Sequence, residues 1–197
     1  MCHESFPFQK LSANNTISKE LTWLANHIER SDSVHIIQSQ EWSRSEVHTM
    51  FLCDACPAGM RYWSLTTCEG FICTISPDTH NVIFFFKALT VVSALSHVCE
   101  STFQNLHHLA ILTDSSNTFD MLNTLHALPA HNSILITATD LLIASGIQLR
   151  VFHIPCKCNK VADALSCLDG STAHHLQPEL SITYFSPPRF MLGEVQL

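Results

Sequence analysis

Apolar positions along the chain follow two different periods. Between residues 47 and 75 they come in short β-prone runs. Met50–Asp54, Met60–Leu65 and Phe71–Ile75 read as three strands, and the turn Thr66–Gly70 makes the last two a hairpin. Connections this short favour an antiparallel meander. The period then lengthens. Val82–Cys99 reads as a helix: at about 100° per residue, Phe84, Val91, Ala94, Leu95 and Val98 share one stripe. Ser93, Ser96, His97 and Glu100 form a separate polar face. Lys87 falls inside the apolar stripe near the helix start, where a charge must reach solvent or meet a partner. His107–Thr113 is a fourth strand. Ser115 or Ser116 caps a helix to about Leu128, stopped by Pro129, and Asn132 or Ser133 opens another that ends at Gly146. Ile147–Ile154 is a fifth strand, and Asn159 caps a last helix to about Leu168, broken by Gly170. The element order is βββαβααβα, an α/β arrangement with one mixed five-stranded sheet.

The flanks have a different texture. Ser18–Ile28 reads as a short helix with Ser18 as N-cap and Leu21, Leu24, Ala25 and Ile28 on one side, and Val34–Trp42 as a weak strand or linker. From Ser171 the chain turns polar, and Pro178, Pro187 and Pro188 interrupt it. The expected organisation is an N-terminal extension over 1–46, a domain over 47–169 and a tail or linker over 170–197.

Composition narrows the class. The chain of 197 residues is 46% apolar and only 14% charged, which favours a buried core over disorder. A net charge of -7 argues against a nucleic-acid binder working through bulk charge. It still permits a metal-dependent nuclease, whose site is itself acidic. Nine cysteines form no regular framework, and the N-terminus has no basic region followed by an apolar run. The expectation is a reduced intracellular protein, in cytoplasm or nucleus. Asn81–Cys99 is apolar enough to mimic a membrane span, but Lys87, Ser93, Ser96 and His97 interrupt it, so a buried helix is expected.

Three carboxylates stand at comparable places. Asp54 closes the first strand, Asp114 closes the fourth, and Asp163 lies in the first turn of the helix after the fifth. Strand ends on one sheet edge can bring them together, and ligands favour that edge in open α/β sheets. Each also has a structural reading: Asp54 as a turn cap, Asp114 as a helix opener, Asp163 as a favourable charge at a helix start. Cys53, Cys56, Cys156 and Cys158 invite a zinc reading. Strand alternation places Cys53 on the face opposite Asp54, as a core residue, so no zinc is expected.

Four segments carry a resemblance. LCDACPAGMRYW, AILTDSSNT and NKVADALS resemble the first, third and fourth acidic motifs of retroelement ribonuclease H, and IFFFKALTVVSAL resembles the second. NKVADALS is the most specific. Lys19–Trp42 is similar to the segment that joins the polymerase to this domain in fungal retrotransposon polyproteins, and the Pro-Pro-Arg tail is similar to the segment downstream of that domain. The resemblance implies a ribonuclease H fold and hydrolysis of RNA in RNA–DNA hybrids with two magnesium ions, or manganese. It makes Asp54, Asp114 and Asp163 the metal ligands. Arg61, Lys157 and Lys160, in loops or strands expected near the site, are candidates for phosphate contact. The family's catalytic Glu position is occupied here by Lys87. An ammonium cannot ligate a metal and is expected to pair with Asp54. Cys156 stands for the usual loop Gly and Cys167 for the usual Arg, and no loop His lies between Pro155 and Asn159. The resemblance therefore implies a hybrid nuclease with impaired catalysis or a non-catalytic remnant of one.

Overall fold

The computed structural model describes residues 14–31, 42–75, 83–101, 106–167 and 169–188. The chain divides into two compact units, Met1–Val34 and His35–Leu197. The first contains α1 (Asn15–Arg30), longer than expected because Asn14, not Ser18, caps it by accepting the Thr16 N–H at 3.0 Å. No α1 residue is buried, and Ile17, Leu21, Leu24 and Ile28 are all exposed. Most of the strand expected over 34–42 lies outside the described residues.

The second unit holds a six-stranded sheet in the order β5-β4-β1-β2-β3-β6. β1 (Thr49–Cys56), β2 (Gly59–Ser64) and β3 (Glu69–Thr74) form the expected antiparallel meander. β4 (His108–Thr113) pairs parallel to β1, and β5 (Gln148–His153) parallel to β4. The helices are α2 (Ile83–Glu100), α3 (Ser116–Thr124), α4 (Asn132–Ser145), α5 (Lys160–Ser166) and α6 (Gly170–Leu176). α3 stops short of Leu128 because Leu125 turns left-handed, with φ 54°. β6 (Ser181–Tyr184) joins β3 in parallel.

The sixth strand and α6 correct the expectation of five strands and an irregular tail over 170–197. Asp169 accepts the Thr172 N–H and the Ser171 and Thr172 hydroxyls, so a helix opens at Gly170, while α5 has already ended at Ser166. Those bonds, the Thr172 hydroxyl first, hold the Asp169 carboxyl down at about 2. Beyond it Leu180 is buried and Ile182 packs on the same cluster, the two-residue period of a strand. The domain also starts before residue 47. Trp42 is buried, its ring stacks on His108 with centroids 4.9 Å apart, and its carbonyl accepts from Arg150.

Alternation along the strands builds two cores. Phe51, Cys53, Ala55, Met60 and Tyr62 face α2, α3 and α4. Leu52, Trp63, Ala110 and Leu112 face α5 and α6. α2 is buried on nearly every side, including Thr90 and also Ser93 and Ser96, which were expected on a polar face. His97 of that face lays its ring against Phe71, Tyr62 and Phe51 of the sheet. The Thr90 and Ser93 hydroxyls are satisfied by the carbonyls of Phe86 and Leu89 one turn back. α2 is long and apolar enough to cross a membrane by length and composition, yet it is largely buried inside the domain.

Two local contacts tie neighbouring elements together. The Asn123 side chain of α3 reaches β5, donating to the Val151 carbonyl at 2.9 Å and accepting the Val151 N–H at 3.4 Å. Gly59 makes room for its neighbours: a Cβ there would overlap the Arg61 Nη1 and lie 2.5 Å from the Cys73 carbonyl oxygen. Gly59→Ala is therefore expected to lower stability by about 1–3 kcal/mol through overpacking. Urea unfolding checks this, and an unchanged midpoint would refute the close packing.

Candidate active site

Parallel pairing of β1 with β4 sets the site. Cys53 lies opposite Thr113, so the next residues, Asp54 and Asp114, emerge side by side at the same sheet edge. Asp54 is held on the sheet and is only 6% exposed. Asp114 follows the end of β4, where its backbone carbonyl accepts from His153 Nε2 at 3.2 Å. α2 crosses behind β1 and brings Lys87, on its second turn, to this edge.

Lys87 Nζ donates to Asp54 Oδ1 at 2.9 Å and to Asp114 Oδ1 at 2.5 Å. Side-chain exposure is 20% for Lys87, 7% for Asp54 and 15% for Asp114, so water screens these pairs weakly. Burial pulls the ammonium's pKa down, but its hydrogen bonds to Asp114 and Asp54, with their charges, outweigh this and hold it above the ordinary lysine value. The misfit lysine of the helical stripe thus has two anionic partners, one more than the sequence led us to expect.

Asp163 is exposed on α5 and lines a shallow cleft of about 320 Å³ with Lys160, Cys167, Asp169, Thr172 and Leu176. Its carboxylate takes no part in the Lys87 ion pairs. It shares a neighbourhood with the other two all the same. The exposed Cys156 thiol is raised by partial desolvation first and then by the charges of Asp114, Asp163 and Asp54. The link between α5 and β1 is Ser166, whose single O–H is shared between Asp54 Oδ2 and the Asp163 carbonyl, each 2.9 Å from Oγ. Ser166 was not singled out from the sequence. Its signal is its place three residues after Asp163, one turn along the helix.

The phosphate-contact candidates separate. Lys157 and Lys160 are exposed at the turn before α5 and at its first residue. Arg61 is fully buried, its guanidinium bonded to the carbonyls of Leu165, Met60 and Cys73, so it cannot reach a phosphate. It shares a sheet face with Asp54, its partner across β1–β2, and α5 covers that face. Two other carboxylates have partners of their own: Glu69 accepts from Thr67 and Glu100 from Ser96. Cys53 is buried in the core, as alternation requires, and burial pushes its thiol well up. The Cys56 thiol donates to the Ser166 carbonyl at 2.9 Å.

A divalent metal does not fit these residues as they stand. A cation already lies between Asp54 and Asp114, and among the described residues no group of three or more His, Cys, Asp or Glu side chains is placed to hold a metal ion.

No protein-family model matches the chain, and no curated protein matches its sequence significantly. Similarity appears among solved structures. LC11-RNase H1 in complex with an RNA/DNA hybrid superposes with a TM-score of 0.50 at 13% identity, covering 59% of this chain and 92% of that one. The fold is ribonuclease H-like. RNase H1 from the halophilic archaeon Halobacterium salinarum NRC-1 is also similar, with a TM-score of 0.47 and 14% identity over 62% of this chain and 97% of that one. At such identities the likeness is one of fold. In this ribonuclease H-like fold the acidic edge is closed by an internal lysine.

Proposed function

We propose that the chain is the ribonuclease H-like domain of a fungal-type retrotransposon reverse-transcriptase polyprotein. In this reading it engages RNA–DNA hybrids, and its two-metal hydrolysis is impaired. The observation that carries the reading is the Lys87 ammonium bonded to both Asp54 and Asp114. The order of the motifs around Asp54, Lys87, Asp114 and Asp163 supports the ancestry, and the fold supports the substrate class. A protein of the same fold is known in complex with an RNA/DNA hybrid. Lys157 and Lys160 supply the phosphate contacts, and Arg61 is excluded from that role by burial. Contacts of this kind position a duplex, whereas 2′-hydroxyls distinguish RNA from DNA.

Hybrid binding tests the reading directly. A fluorescein-labelled RNA–DNA hybrid is expected to bind with Kd on the order of 10⁻⁶ to 10⁻⁴ M, weakening as salt rises. Because the site carries its own cation, EDTA is expected to leave the affinity unchanged. Replacing Lys157 and Lys160 together by Ala is expected to weaken binding. Absence of binding at about 1 mM protein, beyond that range, would remove the nucleic-acid reading.

A further inference from the structure

Arg61 is an unusual residue to enclose. It is 0% exposed, and among the described residues it makes no ion pair. Its charge is distributed over three carbonyls. Nε donates to Leu165 at 3.0 Å, and Nη1 donates to Met60 at 2.6 Å and to Cys73. Nη2 has no partner. Burying a guanidinium without a counter-ion is unfavourable, so its effect is to be sought in what it holds.

Leu165 lies in the last turn of α5, where carbonyls lack intrahelical donors. The next carbonyl, Ser166, accepts from the Cys56 thiol. At the other end, Asn159 Nδ2 donates to the Cys53 carbonyl at 3.0 Å. α5 is thus tied to β1 at both ends and to β2 through Arg61. Within this span sit Asp163 and Ser166, the latter bonded to Asp54.

We propose that Arg61 is a positioning residue: by tying the last turn of α5 to β2 it holds Ser166 on Asp54 and fixes where Asp163 is presented. This rests on the fold and not on the nucleic-acid reading. Arg61 acts only through α5, and Gly59, whose missing Cβ leaves room for the guanidinium, is part of the same arrangement.

Amide hydrogen exchange on the full chain tests it with Arg61→Met, which keeps bulk and removes every donor. The reporters are the Asp163 and Cys167 amides, bonded to the carbonyls of Asn159 and Asp163. They are expected to exchange at least about tenfold faster, while β1 and β4 amides keep their rates. Arg61→Lys, whose ammonium can still reach a carbonyl, is expected to restore part of the protection. If the Met variant does not fold, Arg61→Gln takes its place. Unchanged α5 protection overturns the proposal. So does an equal acceleration across β1 and β4, which would make Arg61 a general core residue. A second readout is the salt dependence of hybrid binding. Its slope is expected to stay the same in Arg61→Met, and a fall of about one ion would show direct phosphate contact and overturn the proposal. A chain that binds no hybrid sinks the functional reading alone, and the exchange data still decide this one.

Discussion

Replacing Lys87 with Glu is expected to turn the closed acidic edge into a site for divalent cations and to bring measurable cleavage of RNA–DNA hybrids. The unaltered chain is expected to show little or none. Asp54, Lys87 and Asp114 together carry one net negative charge, and with Glu they carry three. The change is two charge units at the point where a metal would be held. Two unit charges about 4 Å apart interact by roughly 4 kcal/mol at an effective dielectric of 20. Since about 1.4 kcal/mol is tenfold in affinity, magnesium binding should strengthen by two orders of magnitude or more. Calorimetric titration with magnesium or manganese measures the first effect, and cleavage of a labelled hybrid the second. Asp114→Asn added to the Glu variant should abolish both gains. The opposite pattern would defeat the charge argument: robust metal-dependent cleavage by the unaltered protein, lost in Asp114→Asn, would mean that the lysine moves aside.

The same lysine should matter for stability, with a pH signature. Lys87→Met leaves two poorly exposed carboxylates side by side with no cation between them. Removing one partner from a buried charged network costs about 3–5 kcal/mol, and the residual exposure here points to the lower end, about 3. The folded-state pKa of Lys87 is raised above its ordinary value of 10.5. Its contribution is therefore complete below about pH 10.5, where the unfolded lysine is also protonated, and it is lost as pH climbs through the folded value. Urea unfolding of both proteins at pH 7 and at increasing alkaline pH measures this. The gap between them should be widest at neutral pH and close above pH 10.5. Equal stabilities at pH 7, or a gap that persists unchanged in strong alkali, would show that the ion pairs contribute little.

Much of the fold was legible because hydrophobic period carries it. The runs ending in Asp54 and Asp114 became adjacent parallel strands, and the helical stripe that trapped Lys87 delivered it to their ends. What was not legible depended on contacts distant in sequence. Ser181–Tyr184 is too short and too near prolines to announce itself, and it becomes a strand by pairing with β3. The hydroxyl face of α2 looked solvent-facing because nothing local says that its His97 will pack on Phe71, Tyr62 and Phe51 of the sheet. Arg61 looked like a phosphate ligand because strand position was visible and the covering helix α5 was not. Ser166 was hidden for the same reason: its partner Asp54 lies 112 residues away.

The Asn123 amide has a consequence for how this molecule meets its own copies. A strand at the margin of a sheet offers free donors and acceptors to any passing chain. At Val151 both are taken by one side-chain amide, which imitates a single peptide unit of a neighbouring strand. β5 is thereby closed to strand addition at its midpoint, and no rung of an intermolecular ladder can run through Val151 without displacing that amide. Side-by-side growth of the sheet through Val151 is blocked on this margin by one residue of α3.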